Sequence, residues 1–159
     1  MRTLLVGSMA VAVLSTGCAA MRGASARDSY LQSQIVDQPI GKPVEQVWPA
    51  LKAALFSKGV TVGEIDDNFF TLKTLPRVDS GSANQLHYYD AKAQRLDANS
   101  CRIQVISVTE ATAKDGRKSR IDSRDWQFEL EVLRSVDPAR AEAIEAEGQR
   151  RYDAAYNEK

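Results

Sequence analysis

The chain has 159 residues, 43% of them hydrophobic and 26% charged, and its 21 basic and 21 acidic side chains cancel. This is the composition of one ordinary globular domain, and it excludes a disordered chain or one buried in a bilayer throughout. Zero net charge leaves no long-range field to gather nucleic acid, which is therefore not an expected partner; binding must come from local surface.

Met1-Arg2 supplies a positive start, and residues 4–14 (LLVGSMAVAVL) are uncharged and aliphatic. The stretch has the length of a signal-peptide core and falls well short of the roughly 20 apolar residues that span a membrane. It leads into Leu14-Ser15-Thr16-Gly17-Cys18, which resembles the lipobox of bacterial lipoproteins, with the aliphatic residue one place earlier than usual. The resemblance implies removal of residues 1–17, lipidation of Cys18 with S-diacylglyceryl and N-acyl (palmitate-type) chains, and a stable anchor, since two or more chains hold where one binds marginally. Ala19 and Ala20 follow the cysteine where an Asp would mark inner-membrane retention. The implied location is therefore the cell outer membrane, facing the periplasm. The alternative is a plain secretory signal cut after Ser15-Thr16-Gly17, which leaves Cys18 an ordinary thiol.

Residues 18–33 are small and polar without sustained periodicity and are expected to be a flexible tether, with a single domain over 34–159. Residues 34–40 suit a short strand. From Pro43 a helix is predicted, because Val44, Val47, Trp48, Leu51, Ala54 and Leu55 fall on one face and Gly59 suits the position beyond its end. Pro49 lacks the donor for the carbonyl of Glu45 and should disturb the first turns. Strand, turn and strand follow over Val60 to Ile65, residues 66–68 and Phe69 to Leu75, with Phe70 and Leu72 on one face and Thr71 and Lys73 on the other. Residues 76–84 read as a polar loop, Gln85 to Asp90 as a strand, and 91–100 stay ambiguous.

A long strand is expected from Cys101 to Thr112, where the phase change between Val105 and Ile106 suggests a bulge. Lys114-Asp115-Gly116-Arg117 is a hairpin signal. The returning strand, 119–133, shows period two, with Trp126, Phe128, Leu130 and Val132 inward and Gln127, Glu129 and Glu131 outward. Asp137-Pro138 opens a last helix with a narrow stripe of Ala141, Ile144, Gly148, Tyr152, Ala155 and Tyr156. The predicted fold is α+β, a mostly antiparallel sheet with two helices packed on one face.

The run from Val44 to Leu55, with Gly59-Val-Thr-Val62, Asp66 and Phe70-Thr71, resembles helix-grip domains in lipoprotein subunits of the outer-membrane β-barrel assembly machinery. The segments Ser123 to Glu131 and Val136 to Arg140 resemble small uncharacterised proteobacterial lipoproteins. These resemblances imply a helix-grip-like fold and an envelope location and bring no activity with them.

Catalytic and metal chemistry is not expected. His87 is the single imidazole, too little for a metal site, and suits strand packing. Glu64, Asp66 and Asp67 are expected to be turn formers without calcium-loop spacing. Ser80-Gly81-Ser82 lacks the frame of a nucleophile elbow. No cofactor is implied. Cys101, left without a partner once Cys18 is lipidated, should be buried in a strand. The sequence thus supports a non-enzymatic interaction or envelope-assembly accessory module held to the membrane by lipid, with an envelope protein as partner. The alternative is a binder of lipid or a small hydrophobic ligand, lined by Trp48, Phe56, Phe70, Tyr88 and Trp126.

Overall fold

The computed structural model describes residues 10–79 and 82–158. In chain order the elements are α1 (Ala10–Val36), α2 (Val44–Ser57), β1 (Val62–Asp66), β2 (Thr71–Thr74), β3 (Arg77–Asp79), β4 (Ser82–Arg95), β5 (Cys101–Thr112), β6 (Lys118–Arg124), α3 (Trp126–Val136) and α4 (Pro138–Asn157). The fold is α+β. Six strands form one antiparallel sheet in the order β1-β2-β4-β5-β6, with β3 pairing on β4. The helices number four among the described residues, against the two expected.

The described residues pack as two units, one made of residues 10–34 with 142–158 and the other of 35–141. The expected single domain over 34–159 therefore gives its last residues to the helical unit.

In that helical unit, residues 19–33 are helix and not the expected tether. Ala19, Ala20, Ala24 and Ala26 are strong helix formers, and small residues let α1 and α4 approach closely. A Cβ on Gly23 would lie 2.9 Å from ring carbons of Tyr152, and one on Gly148 would lie 3.0 Å from Leu31 Cδ2. Arg151 stacks over the Tyr30 ring at 4.2 Å.

In the sheet unit, α2 starts after Pro43, whose carbonyl accepts from the amides of Gln46 and Val47. It contains Pro49 and ends before Gly59, which has φ 67° as its predicted place beyond the helix requires. Its stripe of Val44, Val47, Trp48, Leu51 and Leu55 is buried, and α2 lies against β4, β5 and α3. Each such side chain contributes about 1.5–3 kcal/mol of transfer free energy.

Several expected strands are placed differently. Residues 34–36 finish α1, and of the strand over 34–40 only Ile40 pairs, exchanging both backbone hydrogen bonds with Cys101. The loop over 76–84 is a hairpin: Val78 pairs with Leu86 across β3 and β4, while Ser80 and Gly81 lie outside the described residues. The strand over 85–90 is the middle of β4. No bulge interrupts β5, whose register with β4 runs unbroken from Gln85↔Ala111 to Arg95↔Cys101. The phase change arises because both faces of β5 carry buried side chains, Ile103 and Val105 on one and Val108 on the other. The predicted hairpin at 114–117 is present, with the Ala113 amide donating to Arg117 O and Gly116 at φ 83°.

The structure departs furthest from the expected elements over 119–133. The strand ends at Arg124, and Trp126–Val136 is α3. Asp125 caps it, its carboxylate accepting from the Phe128 amide at 3.0 Å. Phe128 and Val132, like Glu129 and Leu133, are four apart, so helical spacing fits the same residues as the alternation does. Glu129, expected outside, is fully buried.

Candidate functional site

Cys18 lies exposed within α1, where a reagent can reach its thiol. Cys101 is buried, as its strand position predicted. Burial, reinforced by the charge of Glu45, pushes its thiol up to about 11. At neutral pH that leaves almost no thiolate, the reactive form. The two cysteines are thus chemically unlike.

The acidic turn is built into the fold. Asp66 Oδ1 accepts from the amides of Asn68 and Phe69 at 2.9 and 3.2 Å, closing the turn between β1 and β2. Asp67 Oδ1 accepts from Trp48 Nε1 at 2.6 Å and Lys52 Nζ at 2.8 Å, tying that turn to α2. The bonds from Lys52 and then Trp48 hold the Asp67 carboxyl below its ordinary value. Glu64 lies on β1, exposed. Phe70 occupies the left-handed region at φ 52°, which places its ring edge-on to Trp48 with centroids 6.0 Å apart and outside β2. Leu72 is buried while Thr71 and Lys73 are exposed, on opposite faces of β2 as expected.

His87 Nε2 shares a 2.8 Å hydrogen bond with Ser107 Oγ across the β4–β5 seam. Its ring meets Tyr89 edge-on at 5.0 Å, and Tyr89 in turn stacks on Phe128 of α3. His87 and Tyr89 therefore share the face that α3 covers.

Tyr88, one residue along, faces the other way. Its ring lies under Lys73 Nζ at 5.1 Å and near the Arg120 guanidinium at 6.0 Å. Its hydroxyl donates to Glu110 Oε1 at 2.9 Å. Burial, and then the bond to Glu110, raise the Tyr88 phenol above its ordinary value. An open groove of about 320 Å³ borders these groups, lined by Glu64, Lys73, Leu75, Tyr88 and Glu110 among others.

The five aromatic side chains considered as a cavity lining do not converge. Trp48 and Phe70 pair beside α2, Tyr88 lies on the opposite face, Phe56 is 53% exposed, and Trp126 is half-buried at the start of α3.

The group that sequence reasoning missed is Glu129. Its carboxylate accepts from the Val105 amide at 2.8 Å and from Arg124, whose Nη2 lies 2.8 Å from Oε2. Arg124 also donates to Ile103 O. Burial raises the Glu129 carboxyl above its usual value, and Arg124 opposes the shift. The arrangement clamps α3 to β5 and β6. The legible signal was the Asp125 cap followed by four-residue spacing, which places Glu129 on the same helical side as Leu133.

The chain matches no protein-family model, and no curated protein matches it in sequence.

Proposed function

We propose that this chain is a lipoprotein precursor, cleaved before Cys18 and held by acyl chains on the periplasmic side of the outer membrane, whose folded part acts as a non-enzymatic interaction or envelope-assembly accessory module. The observation that carries the reading is the N-terminal pattern: Arg2, an apolar core of signal length, and Thr16-Gly17 directly before Cys18. The exposure of Cys18 supports it. Among the described residues no helix is long and apolar enough to cross a membrane. The accessory role is supported by how the polar groups of the sheet unit are used. Asp66, Asp67, His87 and Glu129 each hold two elements or a turn together, and the sheet face bearing Tyr88 carries charged side chains suited to contact.

Growth of an expressing bacterium in radiolabelled palmitate tests the anchor. The native chain takes up label and fractionates with membranes; Cys18→Ser loses both. An unlabelled native chain, or unchanged fractionation of the variant, overturns the anchor. Crosslinking in intact cells tests the module, and recovery of no protein partner counts against it.

A further inference from the structure

Among the described residues β6 is an edge strand, paired on one side with β5. The Ala113 amide donates to Arg117 O and the Asp125 amide to Val105 O, both at 2.8 Å, so the odd-numbered residues of this segment bond inward to β5. The N–H and C=O groups of Lys118, Arg120, Asp122 and Arg124 consequently point away from the sheet. Such an edge is a template for another strand unless something blocks it. Neither proline nor a register break with β5 occurs along Lys118–Arg124, and Ile121 is 65% exposed.

We infer that β6 is a self-pairing edge: two copies join their β6 strands antiparallel about a two-fold axis at Ile121, continuing the sheet from one copy into the other. Charge pairing, the length of overlap and the exposed Ile121 together choose the occupant and the register. Outward-pointing residues must face outward-pointing residues, so the three registers of longest overlap are centred on Arg120, Ile121 or Asp122. The first, with five residues overlapping, sets Arg120 against Arg120 on the axis and Lys118 against Asp122 twice, and leaves each Ile121 beside a Ser119. The last sets Asp122 against Asp122 and Arg120 against Arg124. The register centred on Ile121 sets Arg120 against Asp122 twice, and Ser119 against Ser123. It also brings the two Ile121 side chains together as a close non-hydrogen-bonded pair, the geometry in which side chains approach most.

Within one copy Arg120 Nε and Nη2 already donate to Asp122 at 2.7 and 3.1 Å. Pairing turns this into a ring of four alternating charges. The Lys118–Arg124 pairs at the ends are the unfavourable contact, moderated because Arg124 is engaged by Glu129. An isologous interface of this kind closes at the dimer, and the inference holds whether or not Cys18 is acylated.

Sedimentation of the purified full chain in detergent should show a monomer–dimer equilibrium. Asp122→Arg places like charges across both central pairs and weakens it by roughly tenfold or more. The exchange Arg120→Asp with Asp122→Arg restores the native constant. In the Cys18→Ser full chain, Ile121→Cys forms a disulfide-linked dimer on mild oxidation, because the two positions face each other, whereas Ser119→Cys does not. A native chain that stays monomeric up to roughly 1 mM, an Asp122→Arg variant of native affinity, or equal crosslinking from Ser119→Cys overturns the proposal.

Discussion

The face of the sheet against α2 and α3 and the face that carries Tyr88 both bury side chains fully, by different means. Against the helices, Ala91, Ala93, Ile103 and Val105 are buried together with Leu51, Leu55, Phe128, Val132 and Leu133. The one charged intruder, Glu129, has every neighbour it needs. On the opposite face Tyr88 is 4% exposed, flanked by Lys73 and Arg120 with Glu110 on its hydroxyl. There the cover is the long stems of charged side chains, which bury apolar surface while their ends stay wet. Burial on this sheet therefore does not identify the core side: the helix-covered face is held by shape and volume, and the other by amphipathic side chains that another surface could displace.

The sharpest way to break the contrast is to empty the covered face. Phe128→Ala should cost about 4 kcal/mol, since Phe128 is fully buried and stacks on Tyr89 at 6.1 Å. Urea denaturation measures it, and a loss below about 1 kcal/mol would mean the site is loosely packed.

Glu129→Ala should cost about 3 kcal/mol by leaving the Val105 amide and Arg124 without their carboxylate. Glu129→Gln keeps an acceptor for Val105 and should lose less. The folded-state value of Glu129 is raised, so its contribution is fully present below the ordinary Glu range and declines as pH rises through the raised value. The deficit of the Gln variant relative to the native chain should therefore narrow as pH climbs above the ordinary Glu range, which paired denaturation curves detect.

On the opposite face the effects should be smaller. Tyr88→Phe removes one hydrogen bond to Glu110 and should cost about 1 kcal/mol, read as a small fall in thermal midpoint. The least change is expected from Asp67→Asn at neutral pH, because Asp67 is exposed beside Lys52 and Trp48. Asp67 has a depressed value, so its contribution is present above the ordinary Asp range and lost as pH falls through the folded value. The native chain should lose its small advantage over the variant in acid, and an advantage that grew on acidification would reverse this assignment.

The elements legible in the sequence were those with an unambiguous period or punctuation. Pro43 and Gly59 bracket α2, Gly116 makes the hairpin turn, and Asp137-Pro138 opens α4. Residues 126–133 were ambiguous, because alternating and helical patterns coincide there and the Asp125 cap that favours the helix makes its bond only once the chain has turned. The small residues of 19–33 carry no periodic signal because what they offer is the absence of side chains, and only a partner such as α4 gives that a use. Of the site residues, Cys18 is singled out by a contiguous motif that involves no tertiary contact. The bonds of Asp67 to Trp48 and Lys52 span 19 and 15 residues, and no local rule could have paired them.

By itself the sequence determined the bounds of α2, the start of α4, the turn at 114–117 and the α+β class, since each depends on backbone preferences acting within a few residues. Tertiary structure alone decided which carboxylate is buried, which face Tyr88 occupies and which strand is left at the edge. Those outcomes depend on contacts between segments far apart in the chain, where desolvation and volume set the result and local preference does not.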